Sequence, residues 1–296
     1  MSKILVVTLG GTICSSVEAG NTIKLRGAPD KSFWNKMQSR SDLAFLTPIL
    51  YSSENADEDY FRKALAAIIK ACDSDMPDGI LILHGTDSLA YFAQLAVRVL
   101  SYLNIPVVIT GSKLPVSDSH SDAVRNIKYA LGLLSAACEG KLGSITFGVV
   151  YSDEMMEDTV FTPASRITDA DFGGNYGKFA GKPDITILKQ KEASDYLEKP
   201  LKKLLTIPDV PGYPYDLIDP SMFDAILVEA YHSGTSCVRG LTDLIARSRQ
   251  SGTKVYLAPV HRGKNQYEST LALIKEGAEP VYDMPFEGAW AEVLIG

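Results

Sequence analysis

The sequence predicts an α/β protein, with a larger N-terminal domain built on a parallel sheet and a smaller α/β domain after it. Three observations carry this. Short apolar runs at 4–7 (ILVV), 79–83 (GILIL) and 106–110 (PVVIT) show no polar alternation, the mark of strands buried on both faces. Segments with helical spacing stand between them, and strand alternating with helix is the order of a parallel sheet. The pattern then weakens from about 183 to 212, where charge, Pro and Gly rise, before a shorter alternation begins. The expected organisation is 1–182 as the N-terminal domain, 183–200 as a linker and 201–296 as the C-terminal domain.

The elements follow in order. Residues 3–9 read as a strand that stops at Gly10-Gly11, with Thr12 directly after. Residues 12–31 hold Gly, Ser, Asn, Asp and Pro without a period and read as a long loop, a length common in lids and binding segments. The stretch 57–72 (DEDYFRKALAAIIKAC) has helical spacing, with acidic residues where the helix dipole favours them. A strand at 79–83 precedes a helix at 87–103, which places Leu89, Phe92, Ala96, Val99 and Leu103 on one face. A strand at 106–110, a helix near 122–138 and a strand at 144–151 complete this half. In the second half, 204–207, 225–231 and 254–260 read as strands, and 240–250 and 267–278 as helices.

Composition bounds the function. The 296 residues can bury one large core or two smaller ones. A net charge of −7 with no clustered basic stripe argues against nucleic acid as a partner, and the densest basic run, KPLKKLL at 199–205, reads as a solvated linker or helix face. The short apolar start is neither a signal-peptide core nor long enough to span a bilayer, so a cytoplasmic address and no membrane partner are expected. Cys14, Cys72, Cys138 and Cys237 form no CxxC pair, and His84, His120, His232 and His261 have no HExxH spacing. No metal site, phosphate loop or cofactor is therefore expected.

The chemistry gathers at strand ends, where open parallel sheets bind ligands. Three ends carry glycine beside a hydroxyl or charge: Gly10-Gly11-Thr12, His84-Gly85-Thr86-Asp87 and Thr110-Gly111-Ser112-Lys113. Thr86 or Asp87 alone could be a helix cap. Three such ends at one sheet edge suggest a site for a small polar ligand. A hydroxyl nucleophile such as Thr12 needs a base to remove its proton. Cys14 is the competing thiol, set against a plain reading as a small buried residue.

The segments TLGGTI, ILHGTDSLAY and PVVITGSKLPVSDSHSDAVRNI, in this order and spacing, resemble the L-asparaginases of the bacterial two-domain, threonine-nucleophile type. The likeness continues through TDADF and, more faintly, AYHSG and DMPFEGA. YSSEN places the chain nearer to the cytoplasmic type I branch. The resemblance implies hydrolysis of L-asparagine to L-aspartate and ammonia through an acyl-enzyme on Thr12. It implies Thr86 and Asp87 as partners in a second hydroxyl triad, Asp87 and Glu54 near the substrate α-amino group, and Ser53 on the α-carboxylate. Gly11 belongs to the same substrate-binding turn. Glu287 matches a glutamate that reaches a neighbouring subunit's site in relatives, so a homo-oligomer, dimer or tetramer, is implied. Two positions depart from the pattern. Pro163 stands where the resemblance places a catalytic Lys, and no Tyr lies between 12 and 50. Lys113 is the first substitute base, and Lys24 the second. Arg166 is too permanently charged for the role. The alternative is a fold that binds a ligand, or acts on another small amide, with weak or no asparaginase turnover.

Overall fold

The apolar runs of the first half fold into one six-stranded sheet. The computed structural model describes residues 2–18, 22–25, 31–141, 147–151, 154–156, 161–163, 172–174, 184–208, 210–263 and 266–296. The chain divides into two units, Met1–Gly174 with Ile187–Lys199, and Asn175–Thr186 with Pro200–Gly296.

In the first unit the strands are β1 (Ile4–Thr8), β4 (Leu43–Leu46), β5 (Gly79–Leu83), β6 (Val107–Thr110), β7 (Phe147–Tyr151) and β8 (Glu154–Met156). Their order is β4-β1-β5-β6-β7-β8; all neighbours are parallel except β8, which runs antiparallel to β7. β1, β5, β6 and β7 are buried along their whole length, which is why they read as unbroken apolar runs. Within the span 12–31 expected as loop, Thr12–Cys14 instead form a 3-10 turn, and β2 (Ser15–Glu18) pairs antiparallel with β3 (Thr22–Leu25). Val17 and Ile23 pair across these strands and are 43% and 49% exposed, so no apolar face existed for periodicity to reveal. A second short pair, β9 (Phe161–Pro163) and β10 (Phe172–Gly174), is antiparallel.

The helices of this unit are α1 (Lys31–Gln38), α2 (Glu58–Ser74), α3 (Leu89–Leu100), α4 (Ala123–Cys138) and α5 (Gln190–Glu198). Asp57 caps α2 by accepting from Tyr60 N–H at 3.0 Å. Leu89, Phe92, Ala96 and Val99 of the expected face are buried, while Leu103 falls in the 3-10 turn after α3; the other residues from Leu89 to Leu100 except Tyr91 are buried too, Gln94 and Arg98 included. Arg98 tolerates this because its guanidinium donates to the Gln94 carbonyl and side-chain oxygens at 2.6 and 2.9 Å. The span expected as linker contains α5, which is fastened to α2. Tyr196 O–H donates to Glu58 at 2.9 Å, and Arg62 pairs with Glu58 while donating to the Lys199 carbonyl.

The second unit is a four-stranded parallel sheet, β11 (Leu204–Ile207), β12 (Ala225–Glu229), β13 (Lys254–Val260) and β14 (Glu279–Tyr282), in that spatial order. Helices α6 (Leu241–Ser251), α7 (Glu268–Glu276) and α8 (Phe286–Ile295) accompany it. Ile226, Val228 and Leu257 pack with Leu244, Ile245 and Leu273 in its core. Pro280 is accommodated because β14 is an edge strand. Among the described residues no helix is long and apolar enough to cross a membrane.

Candidate active site

β1 and β5 are neighbours, yet the chain leaves β1 for β4 on one side and leaves β5 for β6 on the other. Strand order reverses between them, and in open α/β sheets that switch point opens a crevice beyond the strands' carboxyl ends. The Thr12 turn follows β1 and the Thr86-Asp87 turn follows β5, so the two flank it.

Glycine is what lets these turns meet. Gly10 and Gly11 have φ of 117° and 74°, a region side chains disfavour. A Cβ on Gly11 would sit 2.1 Å from the Gly85 Cα, and one on Gly85 would sit 2.3 Å from the Ser53 Oγ. A Cβ on Gly111 would lie 2.9 Å from the His84 carbonyl oxygen and 3.2 Å from the Thr86 methyl. Four segments therefore touch through missing side chains: the turns after β1, β5 and β6, and the 3-10 turn Ser53–Asn55 that follows β4. The turn that begins at Thr12 is held by Cys14 N–H and the Ser15 hydroxyl, which donate to the Gly11 carbonyl at 3.0 and 2.9 Å. Thr12 itself stays half-buried.

Helix capping does not explain the HGTD turn. The residue that caps α3 is Ser88, without a side-chain capping bond, and its hydroxyl donates instead to the Ser53 carbonyl at 2.7 Å. Asp87 is exposed and accepts the Ser53 hydroxyl at 2.8 Å. Ser53 is itself buried, so a hydroxyl from one segment and a carboxylate from another form one polar pair at the site.

His84 holds this turn from below. Its Nδ1 faces the Gly85 carbonyl at 2.8 Å, and a carbonyl only accepts, so Nδ1 carries the proton. Nε2 then accepts from the Tyr51 hydroxyl at 3.0 Å. The ring is fully buried and stacks on Phe92, 4.7 Å between centroids. Burial lowers its pKa to about 4, so the imidazole is neutral near pH 7. Tyr51 also precedes Ser53 by two residues and bridges to Gly10, so one tyrosine ties the turn after β1 to the turn after β5.

The Gly111–Leu114 turn has its own clamp. Asp122 accepts from Lys113 and Leu114 backbone N–H at 3.0 and 3.4 Å, and Asn126 Nδ2 donates to the Gly111 carbonyl at 3.0 Å. Sequence reasoning misses Tyr51, Asp122 and Asn126 altogether. It finds His84 in HGTD but weighs it only as a metal ligand.

The remaining expected residues divide. Glu54 is exposed on the Ser53–Asn55 turn. Lys113 has an exposed side chain, and what the structure brings to the turn is its backbone N–H. Lys24 lies on the exposed β3, 3.7 Å from Glu18. Arg166 lies outside the described residues. Pro163 pairs with Phe172 through its backbone in β9. Glu287 is fully buried in the first turn of α8 in the second unit. Cys14 is fully buried, which pushes its thiol up to about 12 and leaves almost no thiolate at neutral pH.

The Asparaginase, N-terminal family model matches residues 3–157. An L-asparaginase of Thermococcus kodakarensis is 30% identical over 199 residues, 64% of this chain and 55% of that protein. The aligned stretch thus spans about half the length of that relative. A protein of the glutamyl-tRNA(Gln) amidotransferase of the same organism is 30% identical over 135 residues, 43% of this chain and 29% of that one. The fold is shared with the crystal structure of a probable cytoplasmic L-asparaginase from Campylobacter jejuni, at a TM-score of 0.77 and 17% identity, covering 100% of this chain and 94% of that one. With a family match over more than half its length and the glycine-built turns inside the matched span, the chain belongs to the asparaginase family.

Proposed function

We propose that this chain hydrolyses the side-chain amide of a small amino acid, L-asparagine first, with Thr12 as nucleophile. The observation that carries the reading is that the turns bearing Thr12, Ser53, Thr86 and Asp87 meet beside one switch point through glycines that leave no room for side chains. The Thr12 Oγ attacks the amide carbon while its proton passes to a base. Collapse of the tetrahedral adduct, with a proton delivered to nitrogen, releases ammonia and leaves an ester on Thr12. Water then attacks the ester, releasing the carboxylic acid and restoring the hydroxyl.

Substrate binding follows from the Ser53–Asp87 pair. A hydroxyl has one proton, and in the free site it goes to Asp87. An arriving α-ammonium takes over the Asp87 carboxylate as a charge-assisted partner. The Ser53 proton is then free to turn toward the α-carboxylate, so both ends of an amino acid are recognised by rearranging one hydrogen bond. Glu54 lies on the same turn as a second acid for the ammonium. Thr86, between Asp87 and Gly85, is the second hydroxyl, and Lys113 the candidate base that stands in for the lysine missing at Pro163. The working form is a homo-oligomer, dimer or tetramer, and its compartment is the cytoplasm; Glu287, fully buried within its own chain, is not placed to serve a neighbouring site.

A second reading has one specific observation behind it: Pro163 has no proton to transfer at the position where the resemblance places a lysine. On that reading the chain binds an amino acid and turns it over poorly. Ammonia release from asparagine and from glutamine, the latter prompted by the match to an amidotransferase, separates the two. Release from either substrate supports the hydrolase. Aspartate binding without release from either supports the binding protein.

A further inference from the structure

A cleft lies away from the strand ends. α1 and α4 share the core of the first unit, where Trp34 and Met37 pack with Ile127, Ala130 and Leu134. Between their outer edges is a cavity of about 400 Å³. Phe33, Met37, Val124 and Leu131 give it an apolar floor, and Lys36, Arg40 and Lys128 stand on its rim, with no acidic residue among the described lining. Arg40 is neutralised by a two-point pair with Asp42, 3.0 and 2.5 Å. Lys36 and Lys128 have no carboxylate partner among the described residues. In a chain of net charge −7, two lysines over an apolar floor with no carboxylate partner among the described residues run against the general trend.

Gly132 is the independent observation. It lies in the middle of α4, where glycine weakens a helix, and it lines this cavity. The usual reason for such a glycine is close approach of another backbone, but a Cβ built there would meet nothing within 4 Å. The missing side chain leaves the cleft deeper at that point.

We propose that this cleft binds a small amphiphilic anion, an aryl or branched alkyl carboxylate, with its apolar group over Gly132 and Leu131 and its carboxylate between Lys36 and Lys128. Its size falls within the range of small-molecule sites, and an apolar floor with a few convergent charges is their common composition. The test is titration calorimetry of the full chain with 3-phenylpropanoate in saturating aspartate, with neutral 3-phenylpropanamide as control. Saturable 1:1 binding is expected, at least tenfold weaker for the amide and in Lys128→Glu, and lost in Gly132→Leu. Gly132→Ala serves as the second floor variant: it favours the helix, so its melting temperature should hold or rise while its affinity falls. No saturable heat, equal affinity for the amide, or unchanged affinity in the Gly132 and Lys128 variants would overturn the proposal. So would a change of oligomeric state in those variants with anion binding intact, which would make this face an interface between copies. The readout is binding, so it stands or falls independently of amide hydrolysis.

Discussion

Gly11→Ala tests the close approach on which the site depends. Two costs add. At φ of 74° an alanine pays about 1–2 kcal/mol that glycine does not. Its Cβ would lie 2.1 Å from the Gly85 Cα, about 1.4 Å inside the roughly 3.5 Å at which carbon atoms rest. The obstacle is backbone, so it cannot rotate away, and Gly85 is in turn wedged against Ser53. Overpacking of this kind adds about 1–3 kcal/mol. The expected loss is therefore roughly 2–5 kcal/mol, read as a lower urea midpoint at unchanged m-value. Any variant that folds does so by parting the two turns by an ångström or more, and misplacement on that scale costs about 100-fold in turnover. Gly132→Ala is the matched control. Its Cβ meets open space in mid-helix, so it should be neutral or stabilise by about 0.5–1 kcal/mol. If Gly11→Ala melts and turns over like the wild type, the turns do not meet as described.

Further outcomes follow from the same geometry. His84 has a folded pKa of about 4 against 6.5 in the unfolded chain, so the unfolded state binds the extra proton; its neutral form stabilises the fold above pH 6.5, and that contribution, about 3 kcal/mol, is lost as pH falls from 6.5 toward 4. Urea midpoints across that window should fall in the wild type and fall less steeply in a folded His84→Gln variant. Asp87→Asn should weaken aspartate binding by about 1.5–3 kcal/mol by calorimetry, the scale of a hydrogen bond to a charged group. Lys113→Met should remove most ammonia release if Lys113 is the base; retained turnover would return Pro163 to the second reading.

The framework of the first unit was legible because its strands are buried on both faces. β1 and β5 therefore spell themselves as apolar runs ending in glycine. The β2–β3 pair was not, since its exposed strands bury no face that a period could mark. α8 escaped for the opposite reason: FEGAWAEVLI is buried almost throughout, including Glu287, so it has no polar side to give it a helical rhythm. In the candidate site, Thr12, Thr86 and Asp87 could be picked out as candidates because each follows a glycine turn at a strand end. Tyr51, Asp122 and Asn126 could not. Their roles rest on contacts to backbone or to residues far along the chain, such as Tyr51 with His84, 33 positions away, and no local spacing encodes those.

On the proposed reading the Thr12 hydroxyl performs the chemistry, which ammonia release from asparagine by the wild type and Thr12→Ala, with aspartate binding measured on both, puts to the test. Removing the methyl and hydroxyl of one half-buried residue leaves the glycine contacts and the Ser53–Asp87 pair in place. The expected result is release by the wild type, loss of about three orders of magnitude or more in Thr12→Ala, and aspartate affinity preserved in both. Release by Thr12→Ala at the wild-type rate would contradict it.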